Sequence, residues 1–203
     1  MNTSIEVFKC IPKENYIQKR LVYITTLQGE HFSHQSFVIK DLYNKFNPRE
    51  IVVDGTGLGV GLLDFLVMDQ VGPNGVLYPA LSSINDEEYR KYAGDKVLYV
   101  LKANGPINSD AHNIAFTELA NGHVKFLIKE SEAKAKLLAT IKGSKMSPKA
   151  RMERLMPYYQ TTRLFEEIGN IQVKNVGQAS GTTTIEQINR RIPKDRFSAF
   201  EYV

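Results

Sequence analysis

The chain has 203 residues, a net charge of +4 and a pI near 9.0. Its hydrophobic content of 42% and charged content of 24% are typical of an ordinary globular chain, and we predict a single domain over 1–203. The single cysteine, Cys10, excludes an internal disulfide and favours a reducing compartment. No stretch approaches the roughly 20 apolar residues of a membrane span, and the first residues do not begin a signal peptide. We therefore expect an intracellular protein that is neither secreted nor membrane-bound.

The first half of the chain predicts a hairpin followed by alternating helices and strands. β-Branched and aromatic residues predict the hairpin strands 5–11 and 17–27. Apolar residues at helical spacing predict a helix over 33–46. A short buried strand over 50–53, a glycine-rich turn and a second helix follow, and 72–75 is predicted to be a loop.

The second half predicts further alternation and then mainly helices. A strand over 97–101 is followed by a helix over 108–119, in which Ile114 and Ala115 face inward, a strand over 124–128 and an amphipathic helix over 132–141. The next helix begins at Ser147–Pro148, is broken or kinked by Pro157 and continues to 168. A hairpin of strands 171–176 and 183–188 around the turn 177–181 comes next, and a last helix begins at about Lys194. Strands and helices in this order predict an α/β domain with a mixed sheet.

Asp54 ends the apolar run 51–53 and is followed by Gly55, Gly57, Gly59 and Gly61. This places a carboxylate at the carboxyl edge of a sheet, where α/β proteins bind ligands. The glycines alternate strictly, so they complete neither a dinucleotide fingerprint nor a P-loop, and the acid would repel a pyrophosphate. Metal binding is the favoured interpretation. A structural turn in which Asp54 caps the next helix, and a nucleotide site, are the alternatives.

A hydrolytic metal site needs more than one carboxylate, because Mg²⁺ and Mn²⁺ prefer several oxygen ligands. Asp195 is the best second candidate, since it lies in the predicted first turn of the last helix; its alternative is a helix-capping acid. The neighbouring Arg191, Lys194 and Arg196 are suited to phosphate contacts that position DNA without reading its sequence. His112 is predicted to be a partly buried, hydrogen-bonded histidine.

Three segments in series resemble the nuclease domain of the large terminase subunit of tailed bacteriophages: 51–66, 157–162 and 194–199. The resemblance extends over almost the whole chain. It implies a ribonuclease H-like fold that cuts double-stranded concatemeric DNA with Mg²⁺ or Mn²⁺ held by an acidic triad. By position, Asp54 and Asp195 correspond to two catalytic, metal-binding acids. The family also implies the small terminase subunit and the portal protein as partners, and the host cytoplasm as location.

The departure from the family lies at the start of the chain. The family's first acid is on a strand that precedes the hairpin, and Met1 corresponds to a point just past it. We therefore expect a nuclease domain whose first strand is missing or incomplete and whose ATPase domain is absent. Losing one of three anionic ligands weakens cation binding. The function expected is thus a metal-dependent endonuclease, and the alternative is a non-catalytic DNA-binding or packaging-docking fragment that keeps the fold.

Overall fold

The computed structural model describes residues 2–57, 59–72, 75–175 and 182–203. The chain forms two compact units: unit 1 comprises residues 27–107, and unit 2 comprises residues 2–26 and 108–203. Both units contain strands and helices, so the predicted α/β class is confirmed.

The elements of the described residues alternate along most of the chain. In chain order they are β1 (Asn2–Pro12), β2 (Ile17–Gln28), α1 (Phe32–Phe46), β3 (Ile51–Asp54), α2 (Gly59–Leu66), β4 (Gln70–Val71), β5 (Leu77–Tyr78), β6 (Leu81–Ser83), α3 (Glu87–Arg90), β7 (Asp95–Leu101), α4 (Gly105–Ala120), β8 (Val124–Lys125), α5 (Glu130–Leu138), α6 (Ile141–Ser144), α7 (Pro148–Gly169), β9 (Ile171–Asn175), β10 (Thr183–Gln187) and α8 (Asp195–Phe200).

Unit 1 is built on a parallel sheet of order β3-β7-β6. The short apolar run of β3 pairs with β7 in a register that sets Asp54 opposite Leu101. Helix α2 packs on β3 and on α1, and it buries Leu62, Leu63 and Leu66. Because β3 and β7 run parallel, both strands end at the same edge of the sheet, and Asp54 lies at that edge.

Unit 2 is built on a sheet of order β1-β2-β8, in which β8 runs parallel to β2. Helix α8 packs against β1 and α7, and α7 also packs against α5. The core of this unit joins Leu21 and Ile24 of β2 to Leu164 of α7 and to Phe197 and Phe200 of α8. This packing fixes α8, and with it Asp195, against the first strand.

The hairpin, the first two helices, the strand before Asp54 and the last helix are all confirmed, with ends shifted by a few residues. Helix α7 begins as predicted, with the Ser147 side chain accepting from the Ala150 N–H. The predicted hairpin of β9 and β10 is confirmed as an antiparallel pair, while its turn at 177–181 lies outside the described residues.

Other details of the second half differ from expectation. Of the two predicted effects of Pro157, the break does not occur: α7 continues through it, with Leu155 and Leu164 buried on either side. Ile114 is 53% exposed, and only Ala115 of that predicted pair faces the core. Strand β8 has two residues rather than five. The predicted helix 132–141 ends at Leu138, and Ile141 is exposed.

Candidate metal and nucleic-acid site

Asp54 is exposed at the carboxyl edge of the parallel strands β3 and β7. Its Oδ1 accepts hydrogen bonds from the backbone N–H of Thr56 at 3.0 Å and from the Thr56 hydroxyl at 2.6 Å. The next residue, Gly55, donates its N–H to the Leu101 carbonyl at 2.8 Å, which extends the β3–β7 pairing past the acid. The carboxylate is therefore held by one oxygen, and its Oδ2 lies outside these bonds.

The glycines after Asp54 let the chain pass close to it. A Cβ on Gly59 would lie 1.6 Å from the Asp54 carbonyl oxygen, and one on Gly55 would lie 2.4 Å from the Val100 side chain. Gly57 has a φ of +56°, in the left-handed region that glycine tolerates. Because α2 begins only at Gly59, the bonds of Asp54 to Thr56 close the turn before that helix begins.

Asp195 is half-buried in the first turn of α8, as predicted. Its Oδ2 accepts a hydrogen bond from the side-chain amide of Asn2, on β1, at 3.1 Å. Lys194 is the N-cap residue of α8, and its side chain makes no capping hydrogen bond. Asp195 lies in the first turn of this helix, where the helix dipole stabilises a negative charge. As with Asp54, one carboxylate oxygen of Asp195 is used in this bond.

Arg196 was expected to contact DNA, but its side chain is buried in unit 2. The guanidinium pairs with Glu167 of α7 and donates from Nε to Gln160 at 2.7 Å. The Glu167 carboxylate also accepts the backbone N–H groups of Arg196 and Phe197. This network caps α8 and ties it to α7, so we assign Arg196 a structural role. Arg191 and Lys194 are exposed.

Glu6 is a carboxyl group that the sequence interpretation did not use. Both of its side-chain oxygens are buried without a hydrogen-bond partner among the described residues. Burial, and next the nearby Glu167 carboxylate, raise the pKa of Glu6 well above its ordinary value, while Arg196 opposes them. The period of two along β1 could have found it, because Glu6 shares a strand face with Asn2 and Phe8, which contact Asp195 and Phe200 of α8.

His112 of α4 is hydrogen-bonded and partly buried, as predicted, and its partner is Glu201, just after α8. The contact joins Nδ1 of the imidazole to Oε1 of the carboxyl group. Burial raises the pKa of Glu201 to about 8 and lowers that of His112, and in each case the Lys194 ammonium acts in the lowering direction. No local pattern predicts this pair, because its members are 89 positions apart.

Charge is distributed unequally between the two units. Unit 1 has seven Lys and Arg residues against ten Asp and Glu residues, a net charge of −3. Unit 2 has nineteen against twelve, a net charge of +7. Within unit 2, the stretch 134–154 holds seven basic residues and one acid, Glu153, and its lysines Lys142, Lys145 and Lys149 are exposed. The excess positive charge of the chain therefore lies in unit 2.

The two predicted metal ligands belong to different units, Asp54 to unit 1 and Asp195 to unit 2. Among the described residues, no group of three or more His, Cys, Asp or Glu side chains is arranged to hold a metal ion. The donor chemistry still suits a hard cation, because the hydrogen bonds among the described residues use only one carboxylate oxygen of each acid.

The chain matches no protein-family model, no curated protein and no solved structure. The resemblance to terminase nuclease domains thus rests on the sequence segments alone. No helix in the described part of the chain has the length and apolar character needed to span a bilayer.

Proposed function

We propose that the chain is a metal-dependent DNA endonuclease domain of the large-terminase type, with a ribonuclease H-like fold. The observation that carries this proposal is the placement of Asp54. A carboxylate at the carboxyl edge of parallel strands, fixed by one oxygen and followed by a turn that keeps bulky groups away, is suited to bind a hard cation next to a substrate.

Asp195 is the second proposed ligand, and unit 2 is the proposed DNA-binding part. The Asn2 amide holds one oxygen of Asp195, and the exposed Lys194 and Arg191 lie next to it in the chain. A net charge of +7 on unit 2 attracts a phosphate backbone without sequence preference. Bound Mg²⁺ or Mn²⁺ would neutralise phosphate charge and lower the pKa of a coordinated water. The small terminase subunit and the portal protein are the proposed protein partners.

The test is nicking of supercoiled plasmid in the presence of Mn²⁺. We expect Asp54→Asn and Asp195→Asn each to lower the nicking rate by about 100-fold or more, because a neutral amide binds a divalent cation far more weakly. Asp64→Asn and Asp110→Asn are matched controls, since both are exposed helical acids, one in each unit. Equal nicking by all four variants would exclude Asp54 and Asp195 as metal ligands.

A non-catalytic DNA-binding function is the second candidate. It is favoured by the charge of unit 2, and the described residues contain no group of three or more His, Cys, Asp or Glu side chains that could hold a metal ion. This function predicts retardation of duplex DNA in EDTA and no cutting in Mn²⁺. Retardation that decreases steeply with salt, together with an uncut plasmid, would establish it over the nuclease.

A further inference from the structure

Unit 1 contains a small cavity between helix α1 and the strands β6 and β7. Its volume is about 90 Å³, and its lining residues are Lys40, Tyr43, Asn44, Pro79, Leu81 and Asp95. The three residues from α1 lie on one face of that helix, because they are three and four positions apart. On the sheet side, Leu81 of β6 is paired with Asp95 of β7. The Tyr43 hydroxyl joins the two sides by donating to Oδ2 of Asp95 at 2.7 Å.

The floor and the rim of this cavity differ in burial and in charge. Lys40 and Leu81 are each 2% exposed and form the floor. Asn44, Pro79 and Asp95 are exposed and form the rim. The cavity therefore has a cationic side chain at its buried end and an anionic one at its open end.

The charge of Lys40 is not neutralised within the described residues. Its Nζ donates to a neutral acceptor, the Met68 carbonyl, at 2.6 Å, and no second hydrogen bond or ion pair of this ammonium is found among them. Asp69 acts on Lys40 electrostatically, but its Oδ1 accepts the Ala80 N–H. An ammonium has three N–H donors, and buried lysines are almost always paired. A buried ammonium that lines a cavity with two donors to spare is suited to a carboxylate inside that cavity.

The rim groups offer the opposite chemistry. Oδ2 of Asp95 is occupied by Tyr43, whereas Oδ1 has no partner among the described residues. The side-chain amide of Asn44 likewise makes no hydrogen bond there. Because Asp95 would repel a simple anion, a carboxylate bound on Lys40 is favoured when its own molecule also carries a positive group that Asp95 can accept.

We propose that this cavity binds a small amino acid as a zwitterion, with its carboxylate on Nζ of Lys40 and its ammonium on Oδ1 of Asp95. A water molecule takes about 30 Å³ in the liquid, so the cavity replaces about three waters, which limits the ligand to the size of glycine or alanine. This binding is a separate property of unit 1 and does not depend on the proposed nuclease function.

The test is an NMR titration of the full chain at pH 7, which follows the backbone amides of Leu81 and Asp95 and the side-chain amide of Asn44. The probes are glycine, acetate, which lacks the ammonium group, and methylammonium, which lacks the carboxylate. We expect glycine to shift the three signals saturably, with a Kd of roughly millimolar order because so small a ligand has few atoms. Acetate should bind about tenfold more weakly, and methylammonium should produce no saturable shift.

Two variants assign the ends of the ligand. Lys40→Met keeps the length of the buried side chain and removes its charge, so it should weaken glycine binding by about tenfold or more. Lys45→Met, at an exposed lysine in the last turn of α1, is the matched control and should leave glycine binding unchanged. In Asp95→Asn the amide oxygen still accepts from Tyr43, and we expect weaker binding of glycine but not of acetate.

Three outcomes would each overturn the site: no saturable shift with glycine, glycine that binds no tighter than acetate, or equal glycine binding by Lys40→Met and the unaltered chain. Urea unfolding checks that each variant folds. The comparison of the three probes uses the unaltered chain, so it decides the proposal even where a variant does not fold.

Discussion

The two units differ both in surface charge and in the charge that they bury. Unit 1 has a net charge of −3, and it fully buries the ionisable side chain of Lys40, which donates to the Met68 carbonyl at 2.6 Å. Unit 2 has a net charge of +7, and its fully buried ionisable side chain is Glu167. The net charge of each unit bears on the proposed DNA binding, whereas the buried groups determine how pH and mutation change the stability of each unit.

The largest effect is expected from Glu167→Gln in unit 2. The variant removes the carboxylate that pairs with the buried Arg196 guanidinium, and losing one partner of such a pair costs about 3–5 kcal/mol. Hydrogen exchange of amides in α7 and α8 measures the loss of opening free energy. Glu166→Gln is the matched control, because its ion pair with Arg163 is exposed and little change is expected. Equal effects of the two variants would show that the buried network does not hold α8.

In unit 1, the corresponding test is Gly59→Ala. The new Cβ would overlap the Asp54 carbonyl oxygen, so the backbone must move at a cost of about 1–3 kcal/mol. That movement displaces Asp54, and we expect plasmid nicking to be lost. Gly57→Ala has open space around the new Cβ and meets only the strain of a positive φ, about 1 kcal/mol. Urea unfolding measures the stability of both variants, and plasmid nicking measures their activity. Gly59→Ala tests a clash with Asp54 itself, whereas Gly57→Ala tests backbone strain two residues before the clash position.

The pH dependence of stability is expected to have opposite signs in the two units. Glu201, with a pKa of about 8 in the folded state and an ordinary value of 4.5, keeps a proton that the unfolded chain has lost. The unfolding free energy of unit 2 therefore falls as pH rises from 6.5 to 8, by up to about 1.4 kcal/mol per pH unit for one proton. The raised pKa values of Glu6 and Glu167 also make the unfolding free energy of unit 2 fall as pH rises. The lowered pKa of His112 changes that free energy only below pH 6.5.

Lys40 gives unit 1 the reverse trend at higher pH. Burial lowers its pKa from 10.5 to about 8, so above pH 8 the folded unit has lost a proton that the unfolded chain still holds. The unfolding free energy of unit 1 is expected to rise between pH 8 and 9.5, by an amount per pH unit of the same order. Exchange rates, corrected for their intrinsic pH dependence, measure both trends peptide by peptide. Parallel trends in the two units would contradict the difference in buried charge.

The smallest effect is expected at Glu6. Both of its oxygens are buried without partners among the described residues, so Glu6→Met removes an unsatisfied group and should raise the unfolding free energy of unit 2 by about 1 kcal/mol. Nicking should persist if Glu6 has no catalytic role. Glu14→Met changes an exposed carboxylate and should have almost no effect on stability. A loss of nicking in Glu6→Met at unchanged stability would assign Glu6 to the active site.

Features that depend on neighbouring residues could be predicted from the sequence. The apolar run before Asp54, the glycines after it and the N-terminal turn that contains Asp195 are local signals, and each lies where it was expected. Features that depend on distant partners could not. Arg196 reads as an exposed basic residue until Glu167, 29 positions away, is placed beside it.

The same reason explains the errors in the helices. Spacing along α4 cannot decide whether Ile114 or Ala115 faces the core, because the strands and helices around it set the buried side. The effect of Pro157 depends on whether packing holds both halves of α7, which the local sequence does not show. The role of Glu6 depends on α8 lying across β1, a contact between the two ends of the chain.

The bonds that Thr56 makes to Asp54 have a consequence for the choice of ion. Because Oδ1 accepts two hydrogen bonds from Thr56, a cation held by Asp54 would be bound through Oδ2. Calcium commonly takes carboxylates in bidentate fashion, whereas magnesium is satisfied by single oxygens in an octahedral shell completed by water. At the proposed metal site, Thr56 would therefore favour magnesium over calcium, and replacing its hydroxyl would widen the range of ions accepted.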